Sequence, residues 1–343
     1  MSNNSKGIVI AGNVIVDIVK TVDCYPEVGM LANVSSVSRA VGGCVSNTGI
    51  DLKKIDPFLP VSAIGKVGKD DVADYLLAQF DKYGLERSGI SVSETQPTSF
   101  SDVMSMPSGE RTFFHGRGSN AEFSPADIDI DSLSCDIFHI GYILLLDAMD
   151  AYDSEYGTVM ARLLAEVQRR GIKTSIDVVS DSSSDYRSKI MPSLKYSNYA
   201  IMNEIESTML SDLEAYDENG KIITENIRKT MELMADAGVK DKIVIHCKDA
   251  GFCYDVATKR FTCVPSLNIP KEEIKGSVGA GDAFCAGTLY GIYNGWDDEE
   301  ILKFASASAA CNLFAENSID GLREKAEIEK IAAKYGRKEM SLC

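Results

Sequence analysis

Near the C-terminal end, Gly279, Ala280, Gly281 and Asp282 are residues of the types that a transfer involving negative charge requires. Apolar Phe284, Leu289, Ile292 and Tyr293, with Gly295 beyond them, predict a helix from about Ala283 to Asn294, with Asp282 as its N-cap and the glycines just before it. Unpaired backbone N–H groups at a helix N-terminus converge on one point. Glycine lets the backbone approach whatever lies there, so such a turn is suited to hold an anion. A carboxylate at the same place can take a proton from a nucleophile while the N–H groups stabilise developing charge. The same four residues also make a plain turn and an ordinary aspartate cap.

Neither of the familiar phosphate loops is present. A Walker A loop needs Gly-Lys-Ser/Thr, whereas Lys66 and Lys221 follow glycines but precede Val67 and Ile222. A dinucleotide fingerprint needs three spaced glycines after the first strand, and "AGNVIVD" offers one, which argues against an NAD-dependent oxidoreductase.

The elements that must position this turn alternate along the chain. The runs at 7–12, 60–65, 135–141, 172–179, 198–203 and 241–247 are short, β-branched and bounded by turn residues, as buried parallel strands are. Segments 69–84 and 153–171 open on acidic residues, close on glycine and carry helical periodicity. Repeated βα order predicts an α/β sheet with helices on both faces. Segments 14–43 and 98–119 instead alternate apolar and polar residues around the turns "YPEVG" and "PSGE", and predict hairpins that form a small sheet.

With 343 residues, 45% hydrophobic and 25% charged, the chain has ample length for a large core. A formal charge of −16 argues against nucleic-acid or anionic-membrane partners. Nine cysteines without a Cys-x-x-Cys pair indicate reduced thiols rather than a disulfide framework or a zinc ribbon. No stretch has the composition of a signal peptide or of a membrane span, so a cytoplasmic protein is expected.

"GSVGAGDAFCAGTL" (276–289), "VGGCVSNTGIDLKKI" (41–55), "GKVGKDDVADYL" (65–76), "GNVIVD" (12–17) and "NEIE" (203–206) resemble, together and in order, the signatures of the PfkB or ribokinase-like carbohydrate kinases. That family transfers the γ-phosphoryl of ATP to a hydroxymethyl group of a sugar or nucleoside. The resemblance implies one domain over 1–343, with a mostly parallel central sheet flanked by helices and a β-sheet lid from about 14–43 and 98–119. It implies Asp282 as catalytic base, with Gly279, Ala280 and Gly281 forming the anion hole. Asp17, Gly42, Gly43 and Asn47 match the sugar positions, with Asn13 alongside, and Arg117 is placed to reach the substrate from the lid. Asn203 and Glu206 match the motif near metal and phosphates, with Glu206 acting on Mg²⁺ through water. Lys248 and Gly251 fall on the nucleotide side. ATP and Mg²⁺ are the implied ligands, a monovalent cation such as K⁺ stays open, and a homodimer through the lid is expected.

Each residue also has a local reading: Asn47 as a helix cap, the glycine pair as a turn, Asp17 and Arg117 as surface residues, Glu206 as a first-turn carboxylate, and Lys248 as a solvated loop residue. His115, His139 and His246 show no ligand spacing and read as structural. Three departures bear on the substrate and nucleotide sides. Gly276 stands where the family usually has an acidic or polar residue, "DVVSDSSSDYR" lacks the Asp-Pro-Asn-x-Arg pattern common in fructokinases and ketodeoxygluconate kinases, and Lys248 replaces a glycine. Two alternatives stay open: a nucleoside kinase of the same fold, stacking a base on Phe100, Phe113 and Phe114, and a catalytically silent sugar sensor.

Overall fold

The computed structural model describes residues 6–106, 110–180 and 185–340. The predicted lid turn at 107–110 lies, apart from Glu110, outside them. The chain runs β1 (Ile8–Gly12), β2 (Ile15–Val22), β3 (Val34–Gly42), α1 (Cys44–Ile55), β4 (Val61–Val67), α2 (Asp71–Tyr83), β5 (Glu86–Val92), β6 (Phe100–Ser105) and β7 (Arg111–Gly116). It continues through β8 (Ile137–Ile143), the short pair β9 (Tyr152–Asp153) and β10 (Gly157–Thr158), α3 (Val159–Arg169), β11 (Lys173–Val178), α4 (Tyr186–Leu194), β12 (Tyr199–Asn203) and α5 (Glu204–Thr208). The C-terminal part holds α6 (Thr224–Ala237), β13 (Lys242–His246), β14 (Ala250–Asp255), β15 (Arg260–Pro265), α7 (Ala280–Tyr293), α8 (Asp298–Asn312) and α9 (Lys325–Lys334).

The main sheet has the order β15-β14-β13-β12-β11-β8-β1-β4-β5. It is parallel from β13 to β5, and β14 and β15 add an antiparallel edge. Alternation along β1 divides the core in two. Ile8 and Ile10 face a cluster with α1, α2, α7 and α8, while Val9 and Ala11 face one with α3, α4 and α6. All six predicted strands are present. The predicted helix at 153–171 begins only at Val159, because Gly157 takes a positive φ of 88° and the acidic stretch before it pairs as β9 and β10. Thr158 then caps α3 by accepting from the Ala161 N–H at 3.1 Å.

The two predicted hairpins form one separate sheet of order β3-β2-β6-β7, with β2 parallel to β6. Val16 and Val41 turn into the core beside α1 and α2, so Asp17, which alternates with Val16, lies on the opposite, outward face. Cross-strand register puts Ser101 and His115 in one row with Asp17, and Val103 and Phe113 in the next.

Candidate active site

Helix α7 begins differently from the sequence expectation. Gly279 is the N-cap, in the left-handed region at φ 78°, and Asp282 is the third residue of the helix rather than its cap. A Cβ on Gly279 would lie 2.5 Å from the Ser318 carbonyl oxygen, so both the conformation and the space require glycine. Ala280 donates its N–H to the Ser277 carbonyl at 3.2 Å, which removes it from the expected anion hole. The N–H groups of Gly281 and Asp282 have no acceptor among the described residues and remain as the donors of that turn.

The Asp282 carboxylate is buried, at 6% exposure, and held from two directions. The Tyr142 hydroxyl donates to Oδ1 at 2.7 Å and to Oδ2 at 2.9 Å, and the Asn47 amide donates to Oδ2 at 2.9 Å. Burial pushes the Asp282 pKa up, and these donors act against that rise. The Asn47 amide, which matches a sugar position, bridges Asp282 and Ser318, whose hydroxyl donates to Asn47 Oδ1 at 2.8 Å, because the start of α1 abuts the start of α7.

Beside Asp282 is a cavity of about 250 Å³ whose wall includes Asp177, Ser180, Asn203, Glu206 and His246. Asn203 and Glu206 form a reciprocal capping box at the start of α5: Asn203 Oδ1 accepts from the Glu206 N–H at 2.8 Å, and Glu206 Oε2 accepts from the Asn203 N–H at 2.9 Å. The Ser180 hydroxyl donates to Glu206 Oε1 at 2.9 Å. One Glu206 carboxylate therefore both caps a helix and lines the cavity. Burial pushes its pKa up to about 8. Asp177 is also raised, first by burial and then by the Asp282 charge, and its Oδ1 has no hydrogen-bond partner among the described residues. Glu206 is a buried carboxylate on a wall that, among the described residues, carries no Lys or Arg, so it suits a hydrated divalent cation such as Mg²⁺.

On the far side of Gly281 and His246 is a second cavity, of about 650 Å³, with apolar walls from Ile269, Phe284, Ala309 and Leu313. Lys248 is exposed on its rim, its ammonium 5.6 Å from the centre of the Tyr216 ring. Gly251 is not part of this cavity. It is buried beneath α7, where a Cβ would meet Phe284 at 3.0 Å and Leu302 at 3.2 Å, so its smallness serves helix-on-sheet packing. His246, read as structural, forms a wall shared by both cavities, and burial lowers its pKa to about 4, leaving it neutral.

On the acceptor side, the Asp17 carboxylate reaches over Gly42, where a Cβ would lie 2.9 Å from its Oδ2. Gly43 has φ 80°, and a Cβ there would lie 2.5 Å from the Asn13 carbonyl oxygen. Asn13 is fully buried beneath it, with neither side-chain polar atom partnered among the described residues. Arg117 is not extended from the lid. Its guanidinium donates to the Leu144 carbonyl at 2.8 Å and to Asp147 at 2.6 Å, which anchors the end of the lid to the loop after β8.

Tyr142, Asp177 and Ser180 are site residues that sequence reasoning missed. They come from the ends of β8 and β11 or just beyond, and no local motif marks them; the one available signal was position, since ligands of α/β sheets gather at strand C-termini.

The sequence profile described as "pfkB family carbohydrate kinase" matches residues 5–325. The 5-dehydro-2-deoxygluconokinase of Clostridium beijerinckii is 24% identical over 291 residues, covering 82% of this chain and 80% of that protein. The 2-dehydro-3-deoxygluconokinase of Escherichia coli is 23% identical over 280 residues, covering 80% and 88%. Among solved structures, Arabidopsis thaliana ribokinase complexed with ribose and ATP superposes with a TM-score of 0.77 at 18% identity, covering 96% of this chain and 99% of that one.

Proposed function

Because the chain belongs to the pfkB family of carbohydrate kinases, whose fold it has, we propose that Asp282 is the base that deprotonates the acceptor hydroxyl of a sugar. The enzyme is an ATP-dependent phosphotransferase acting on a sugar hydroxyl. One observation carries the assignment of the base: the Asp282 carboxylate lies in the first turn of α7, beside the unbonded N–H groups of Gly281 and Asp282 and on the wall of the acidic cavity. The acceptor oxygen attacks the γ-phosphorus as its proton passes to Asp282, and the two N–H groups stabilise charge on the transferring group. The adenosine part of ATP occupies the larger cavity, with Lys248 on its rim. Glu206 would hold Mg²⁺, and the ion would supply charge neutralisation for the phosphates.

Asp17, Gly42, Gly43 and Asn13 form the acceptor side. Carboxylate and amide hydrogen-bond hydroxyl groups, and the glycines let a ring lie against the backbone. The activities named for the two curated relatives put deoxy-keto sugar acids first among acceptors to test. The nucleoside reading loses two of its three aromatic rings. Of Phe100, Phe113 and Phe114, only Phe113 shares the face of Asp17, because adjacent strand residues point to opposite sides.

The lid is proposed as a dimer interface, since β3 and β7 are sheet edges and Val37, Phe113 and Phe114 are exposed on them. A cytoplasmic location fits the free cysteines among the described residues and the need for ATP. The test is ADP release across a panel of neutral sugars, deoxy-keto sugar acids and nucleosides, with Asp282→Asn as the blank. Sugar binding without ADP formation would instead support a silent sensor.

A further inference from the structure

The assignment of Asp282 as base leaves one of its contacts without a role. Tyr142, the next-to-last residue of β8, donates one hydroxyl to both carboxylate oxygens, at 2.7 and 2.9 Å. An ionised carboxylate has about four acceptor positions, two on each oxygen. Among the described residues, Oδ2 receives both Tyr142 and Asn47 at hydrogen-bond distance, whereas Oδ1 receives Tyr142 alone. Oδ1 therefore keeps an acceptor position for an incoming hydroxyl. We propose that Tyr142 is a positioning residue of the reaction, one that turns Oδ1 of Asp282 toward the acceptor hydroxyl and keeps the carboxylate ionised until that hydroxyl arrives; this rests on Asp282 being the base.

The step balances without any change at Tyr142. The O–H bond of the acceptor breaks and its proton goes to Oδ1, the acceptor oxygen bonds to the γ-phosphorus, and ADP leaves with the electron pair of the broken P–O bond. Tyr142 keeps its own proton throughout, and burial beside Asp282 pushes its pKa up. A donor to the ionised base favours the charged form, which opposes the upward push of burial on Asp282. Other titratable groups surround the carboxylate: His139 from β8, Asp177 from β11, Cys44 and Asp51 from α1, and Cys285 on its own helix. Glu206 and His246 also line the cavity. Among the described residues Tyr142 and Asn47 donate to it at hydrogen-bond distance, and the nearby Thr48 hydroxyl, which has no partner at that distance, also favours its ionised form.

The experiment is the pH dependence of kcat/KM for wild type and Tyr142→Phe, which keeps the ring and deletes the donor. Loss of a hydrogen bond to a charged group should move the acid limb upward by about one to two pH units. The deficit should be roughly 10- to 100-fold where the variant's base is protonated, and should shrink toward alkaline pH. 3-Fluorotyrosine at position 142, a stronger donor of nearly the same shape, should move the limb the opposite way; it also serves as the test should the Phe variant not fold. An acid limb that coincides with wild type in both proteins overturns the proposal, whatever the loss in kcat. Asp282→Asn separates the two ideas. If it is inactive while both limbs stay in place, only the role of Tyr142 falls; if it turns over normally, the base assignment falls and takes the proposal with it.

Discussion

Glu206→Gln should make the apoenzyme lose less stability with rising pH than wild type does. In the metal-free protein burial raises the Glu206 pKa from 4.5 to about 8. The folded state thus keeps a proton that the unfolded chain releases above 4.5. The stabilisation from that proton is fully present below the unfolded pKa and is lost as pH rises through the folded one. The difference of 8 − 4.5 pH units corresponds to at most about 5 kcal/mol. For 343 residues, unfolding entropy scales to roughly 0.7 kcal/mol per degree, so this is about 7 °C in Tm. Glutamine does not titrate, and its carbonyl can still accept from the Asn203 N–H that closes the capping box. Thermal unfolding of both proteins in EDTA from pH 5 to 9 should show Tm of the variant minus Tm of wild type rising by several degrees. Taking the difference removes other raised acids such as Asp150 from the comparison. The same proton must leave when Mg²⁺ and ATP bind at pH 7, so calorimetry in two buffers of different ionisation enthalpy should detect proton release in wild type and less in the variant. A Tm difference independent of pH would refute the reasoning, because it would mean that the buried carboxylate is already ionised in the apoenzyme.

Asp282→Asn should lower kcat at least ~100-fold while ATP and sugar binding persist, and more than a tenth of wild-type turnover in a single-turnover assay would reject the base assignment. The amide can keep the local bonds, its oxygen accepting from Asn47 and its NH₂ donating to the Tyr142 oxygen. Asp17→Ala should raise KM for the sugar at least about tenfold with little change in KM for ATP, since it removes hydrogen bonds to a charged group on the acceptor side only; equal effects on both would mark it as a folding residue. The lid should mediate a dimer in sedimentation at micromolar concentration, and sugar should slow amide exchange in 98–119 before it affects α7. A monomer with no such protection would remove the lid interface and leave the chemistry at Asp282 untouched.

The central fold was legible because burial on two sides makes strands such as Ile8–Gly12 and Tyr199–Asn203 continuous apolar runs, and their helices carry a clear period. The errors arose where one composition serves two structures. Acidic residues favour both the cap and the first turn of a helix, so Asp282 was placed at the cap although Gly279 occupies it, and 153–158 was read as a helix start although it forms β9 and β10. The edge strands β14 and β15 went unassigned, and Gly251, placed on the nucleotide side, lies in the first of them. Motif resemblance brought Asn47, Glu206 and Asp282 to one region. It did not reveal their partners, because Tyr142 is 140 residues from Asp282, and nothing local to either records a contact made only when β8 and α7 meet.

Asn47 is where the two halves of the site are joined. Its helix starts at the glycine pair assigned to the sugar, one turn before an amide that donates to the base. A sugar bound at the proposed acceptor side, against Gly42 and Gly43, would therefore bear on the same turn that fixes Oδ2 of Asp282, while Tyr142 fixes the carboxylate from the sheet. Substituting Asn47 would change acceptor binding and base geometry together and could not distinguish them. Asp17 belongs to the lid strand β2 and not to α1 or α7, so a loss there that appears in KM rather than kcat isolates recognition from proton transfer.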